Sequence, residues 1–152
     1  MVHSLSHAPG ERALKTKHVL VVEDNQDILL LTSELLAEIE LDSTNLMISA
    51  CSDGAEALEQ IEKQKFDLII TDLRLPNFNG DELIRRMASG KGPNRRTPVV
   101  LTSGYFNDFG DGRATLGEEH SEANIYLLPK PFKRHDLQYV VEQWLAGRSL
   151  GA

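Results

Sequence analysis

Residues Phe66 to Gly80 read F-D-L-I-I-T-D-L-R-L-P-N-F-N-G. The short apolar run Leu68-Ile69-Ile70 has the character of a strand buried on both faces, as in a parallel sheet. It ends on Thr71-Asp72, and Pro76, Asn77, Asn79 and Gly80 then force a loop. An acid at such a junction lies at the carboxyl edge of the sheet, where ligands bind in open α/β folds. A lone Asp there has a plainer explanation, as a cap of the loop or of the next helix. Whether Asp72 does more depends on what ends the other strands.

Upstream, His18 to Val22 (H-V-L-V-V) is a β-branched run that predicts a first buried strand, and it leads directly into Glu23-Asp24-Asn25. From Gln26 to Leu41, Ile28, Leu31, Leu35 and Ile39 recur at helical spacing, with Asn25 or Asp24 as the N-cap. Leu46 to Ala50 predicts a second strand, and Asp53-Gly54 opens a helix expected to turn Ala55, Leu58 and Ile61 inward. Downstream of the opening stretch, Gly80 to Met87 predicts a short helix with Leu83, Ile84 and Met87 on its apolar side. Pro98 to Leu101 (P-V-V-L) is a fourth strand, ending on Thr102-Ser103-Gly104. Gly104, Gly110, Gly112 and Gly117 follow, so a fourth helix in that interval is expected to be short and frayed. Ile125 to Leu128 is a fifth strand, ending in Pro129-Lys130-Pro131-Phe132. Leu137, Val140, Val141, Trp144 and Leu145 then mark one buried stripe of a final helix.

Strands alternating with helices predict an α/β fold, a doubly wound, five-stranded parallel sheet with helices on both faces. The flavodoxin-like order 2-1-3-4-5 makes strands one, three, four and five neighbours, so that the polar residues ending them can converge. A chain of 152 residues accommodates one such domain, here residues 17–147, with a tail at 1–16, a short tail at 148–152 and no output domain. His3 and His7 in the first tail lack a third nearby ligand for metal. The net charge of -7 argues against a nucleic-acid partner, and Arg95-Arg96 reads as a small solvated basic spot. One cysteine, Cys51, excludes an internal disulfide or a multi-cysteine metal site and fits a small core residue. No run reaches the ~18 apolar residues of a membrane span, and the polar start lacks a signal-peptide core, so a cytoplasmic location is expected.

In this sheet order the strand ends lie along one edge, which brings together Glu23 and Asp24, Asp72, Thr102 and Lys130. Clustered carboxylates repel unless a cation sits among them, and hard oxygen donors suit Mg²⁺, with Mn²⁺ as a substitute. Lys130 adds a positive charge and Thr102 a hydroxyl. This set suits a tetrahedral anion held on Asp72, and so nucleophilic attack by its carboxylate on phosphorus to form an aspartyl-phosphate.

The pattern closely resembles the receiver domain of two-component response regulators, over about residues 17 to 147. The D-L-R-L-P-N-F-N-G loop, the V-V-L-T-S-G segment, the K-P-F motif and the 30-residue step from Asp72 to Thr102 all carry it. The resemblance implies Asp72 as phosphoacceptor, Glu23 and Asp24 as organisers of Mg²⁺, and the main-chain carbonyl of Arg74 as a further metal ligand. It also implies Thr102 as the switch hydroxyl and Lys130 as the counter-charge of the phosphoryl group. The implied partners are a histidine kinase or histidine phosphotransfer protein, and a downstream protein bound through the fourth-helix, fifth-strand and fifth-helix face. The implied state is a monomer or a phosphorylation-dependent dimer. Two departures stand out. Three residues before Lys130, where the family often carries an aromatic, stands Leu127, with Tyr126 one residue earlier. The coupling then uses a leucine, or the strand is bulged, or the aromatic switch is absent. The interval from Thr102 to Lys130 is also longer than usual.

Other function classes fit less well. A haloacid-dehalogenase-type phosphatase needs an acid two residues past its nucleophilic Asp, where Arg74 stands. A flavodoxin-type cofactor carrier needs a hydroxyl-rich loop after the first strand rather than Glu23-Asp24. A receiver-like module that binds partners without phosphorylation remains the alternative, and on no reading but the phosphatase is the chain an enzyme with a substrate of its own.

Overall fold

The computed structural model describes residues 14–77, 79–104 and 124–145. Among the described residues five strands are present: β1 (Lys15–Val22), β2 (Thr44–Cys51), β3 (Leu68–Asp72), β4 (Val99–Ser103) and β5 (Ile125–Pro129). Among the described residues the helices are α1 (Gln26–Glu38), α2 (Gly54–Lys63), α3 (Gly80–Ser89) and α4 (Arg134–Leu145). The strands form one sheet in the order β2-β1-β3-β4-β5, and every pair is parallel. The α/β reading and its strand order hold. The expected frayed helix between strands four and five, the 148–152 tail, and His3 and His7 lie outside the described residues, while Lys15 and Thr16, expected in the first tail, begin β1.

Each central strand feeds two cores because successive side chains point to opposite faces. Leu20, Val22, Ile69, Val99 and Leu101 join Ala57, Ile61, Leu83, Ile84 and Met87 beneath α2 and α3. Val19, Val21, Leu68, Ile70 and Val100 join Leu29, Leu36, Leu137, Val140 and Val141 beneath α1 and α4. Every residue of β3 and β4 is buried, which explains why both read as apolar runs without alternation.

Two helix faces differ from expectation. Helix α1 buries Leu29, Thr32 and Leu36, with Ile39 at its C-cap, while Leu31 stays exposed. The run Leu29-Leu30-Leu31 supports two stripes one residue apart, and only packing on the sheet selects between them. Helix α2 buries Gly54, Ala57 and Ile61 and leaves Ala55 outside. The expected faces of α3 and of the final helix hold, with Trp144 half-buried. Asn25 is the N-cap of α1, its side chain accepting from Ile28 N–H at 3.1 Å.

At the opposite edge of the sheet, a buried amide that sequence periodicity does not reveal ties three segments together. Asn94 Oδ1 accepts from Phe66 N–H at 2.8 Å and from Thr97 Oγ1 at 2.9 Å. Its Nδ2 donates to the carbonyls of Ile61 at 2.7 Å and Gln64 at 2.6 Å. It thus satisfies the end of α2 and the entry of β3 at once. Asn94→Ala would strand one N–H and two carbonyls in a buried place, so a loss of about 3 kcal/mol in stability is expected. Urea denaturation checks this; a midpoint unchanged from wild type would refute it.

Cys51 ends β2 in the core, and Gln60 Nε2 donates to its sulfur at 3.0 Å. Burial, reinforced by the nearby Glu56, pushes its thiol from 9.0 up to about 12. The unfolded thiol ionises first, so its contribution to stability is intact below pH 9.0 and lost as pH rises towards about 12. Iodoacetamide at neutral pH is expected to label Cys51 only after unfolding. Native labelling at the unfolded rate would contradict this.

Candidate functional site

The carboxyl ends of β1, β3 and β5 carry the charges. Asp72 is the last residue of β3 and Glu23 the first after β1, and both are buried, while Asp24 beside them is exposed. Oxygens of the three carboxylates lie within 4.8 Å of one another. From the end of β5, Lys130 Nζ donates to Asp72 Oδ2 at 3.0 Å and to Glu23 Oε1 in a shorter contact. One ammonium against three carboxylates leaves the cluster with an excess of negative charge.

The backbone sets these positions. Glu23 N–H donates to the Cys51 carbonyl at 3.0 Å, holding the β1 end to β2. Asn25 N–H donates to Glu23 Oε2 at 3.1 Å, so the residue that caps α1 also orients the acid before it. Lys130 N–H donates to the Ser103 carbonyl at 2.7 Å. The Lys130–Pro131 peptide is cis. Burial raises the Glu23 carboxyl above its usual range, against the opposing pull of Lys130 and the Asn25 N–H. Burial acts to lower Lys130, but its bonds to Glu23 and Asp72 outweigh this and raise it.

Thr102 stands beside Asp72 in the β3–β4 register, with its hydroxyl donating to the Thr71 carbonyl at 3.4 Å. Arg74 follows two residues after Asp72 in the loop. Glu23, Asp24, Asp72 and Lys130 are therefore gathered, with Thr102 as a neighbour. The β4–β5 register is continuous, so β5 has no bulge here. Leu127 packs on the α2–α3 side of the sheet and Tyr126 on the α1–α4 side.

The loop after Asp72 returns tightly. Asn77 takes a φ of 75°, a left-handed conformation that Asn tolerates better than most residues. Gly80 N–H donates to the Leu73 carbonyl at 2.7 Å. A Cβ at Gly80 would press into the Asp72 carbonyl oxygen and come 3.1 Å from Leu101 Cδ1. Glycine is thus required here for lack of space, a constraint that its loop composition alone does not disclose.

The donor set tests well against a hard divalent cation: three oxygen ligands, two of them buried, carrying charge that one lysine does not neutralise. The family model for the response regulator receiver domain matches residues 19–142. The chain is 32% identical over 127 residues to the regulatory protein VanRB of Enterococcus faecalis, covering 84% of this chain and 51% of that protein. It is 27% identical over 137 residues to the CAI-1 autoinducer sensor kinase/phosphatase CqsS of Vibrio cholerae, covering 90% of this chain and 18% of that one. The chain therefore spans about half, or less, of the length of these curated relatives. Its structure resembles the receiver domain of the sensor histidine kinase PA1611 of Pseudomonas aeruginosa, solved with a magnesium ion coordinated in the active site cleft. The TM-score is 0.70 at 25% identity, covering 86% of this chain and 98% of that one.

Gly80→Ala is expected to cost about 2 kcal/mol through overpacking against Asp72 and Leu101. Thermal or urea unfolding measures the loss, and wild-type stability would refute the crowding.

Proposed function

The chain belongs to the response regulator receiver domain family, and from that premise we propose that it accepts a phosphoryl group on Asp72. The observation that carries this reading is the buried Asp72 carboxylate with Glu23 and Asp24 within 4.8 Å and Lys130 Nζ at 3.0 Å. In the proposed step, an Asp72 oxygen attacks the phosphorus of a phosphohistidine on a kinase or phosphotransfer protein. The new P–O bond forms as the P–N bond breaks, and the imidazole leaves with its electron pair. In-line placement and neutralised charge are nearly all that such a transfer needs.

Glu23, Asp24 and Asp72, with the Arg74 carbonyl, would hold Mg²⁺ or Mn²⁺. The ion supplies positive charge beside the transferred oxygens and screens the carboxylates from one another. Lys130 follows the phosphoryl oxygens with its ammonium, and Thr102 offers the hydroxyl that moves towards them. The chain acts on no separate substrate; it takes part in its own phosphorylation and dephosphorylation. The signal leaves by changed contacts with a downstream protein or by onward phosphorelay. A bias of about 1.4 kcal/mol towards one conformer changes a partner's affinity tenfold.

The placement of Tyr126 on the α1–α4 side, away from Leu127, favours a second reading, a receiver-like module that binds partners without phosphorylation. One experiment separates the two. Treated with acetyl phosphate and Mg²⁺, the protein is expected to gain one phosphoryl group by intact mass. The gain should vanish with a chelator and in Asp72→Asn. No gain by a folded sample, or an equal gain in the Asn variant, would overturn the phosphoacceptor reading and leave the binding module.

A further inference from the structure

The strand β2 forms one edge of the sheet, and among the described residues no strand covers its outer side. Open edges carry unpaired N–H and C=O groups and are usually blunted by charge, proline or a bulge. This one has none of these. Its sequence, T-N-L-M-I-S-A-C, lacks charge and proline, and its pairing with β1 runs without interruption from Thr44 to Cys51. Met47, near its middle, is 53% exposed, although a large apolar side chain on an edge is a liability unless something covers it. On the other face of β2, Leu46 and Ile48 are only half-buried, and α1, which packs on this strand, exposes Leu31.

Backbone direction narrows the choice of partner. The carbonyls of Ser43 and Cys51 accept from Lys15 and Glu23 N–H, so odd-numbered residues of β2 bond inward to β1. By alternation, Leu46 and Ile48 point their backbone groups outward. We propose that a second copy of this chain pairs here, β2 against β2, antiparallel about a two-fold axis through Met47. In that register Leu46 of each copy faces Ile48 of the other, both with outward-directed groups, as a hydrogen-bonded pair requires. Met47 then faces its own mate at a non-hydrogen-bonded position, where side chains approach most closely. Asn45 faces Ser49, so no charge opposes a charge. Such a contact is isologous and closes as a dimer, extending two sheets into one. A copy offers what the edge asks for: an extended, uncharged strand with apolar side chains at matching places. Each copy carries a net charge of -7, so the association should tighten as salt screens the repulsion.

Sedimentation of the full chain over increasing concentration tests this. A shift from monomer to dimer mass is expected, with dimerisation strengthened by added salt. Met47→Lys, at an exposed position that tolerates it in the fold, would set two ammonium groups against each other and should weaken association at least ~10-fold. Met47→Cys should form a disulfide-linked dimer under mild oxidation, while the buried Cys51 of wild type should not. Monomer mass at every concentration, undiminished association of Met47→Lys, or failure of Met47→Cys to cross-link would each overturn the proposal.

Discussion

The contact of Lys130 with Glu23 and Asp72 governs the rest of the structure. Two carboxylates held in a mostly buried place are tolerable only with positive charge between them, and the residue that supplies it comes from the far end of the sheet. The sheet order brings these groups to one edge, with β1 beside β3 and β4 between β3 and β5. It also leaves an imbalance, three carboxylates to one ammonium, a charge that suits a hard divalent cation.

Around that contact the backbone leaves little slack. Cys51 anchors Glu23, Ser103 anchors Lys130, and Gly80 lets the loop fold back against the Asp72 carbonyl. At the opposite edge, Asn94 performs the corresponding service for the start of β3. The strand carrying the acid is thus gripped at both ends, which fixes where its carboxylate lies. The outer strand β2 is different: among the described residues β1 is its one strand neighbour, and no strand covers its far side.

How far the residues could be read without coordinates depended on the signal each one leaves. Buried strands betray themselves through apolar, β-branched runs, and the acids, threonine and lysine that end them stand out by contrast. Helix phase was less legible. Three consecutive leucines in α1 left two faces equally apolar, and the sheet took the one with Leu29, Thr32 and Leu36. Asn94 gave no signal at all, because a single amide in a turn carries no periodicity. Asn25 was visible as a cap but not as the group that orients Glu23. Tyr126 and Leu127 were visible as a departure, and the unbroken β4–β5 register removed the bulge from the three explanations.

By itself, then, the sequence determined the alternation of strands and helices, the parallel sheet that alternation calls for, and the chemical types waiting at each strand end. It could do so because periodicity and strand-end polarity are local properties of the chain. Tertiary structure alone decided which atoms meet: that Lys130 reaches Glu23 as well as Asp72, that no side chain fits at Gly80, and that β2 presents an uncharged edge with Met47 outward. These are distances between segments remote in the chain, and no local pattern encodes a distance until the sheet has brought its strands together.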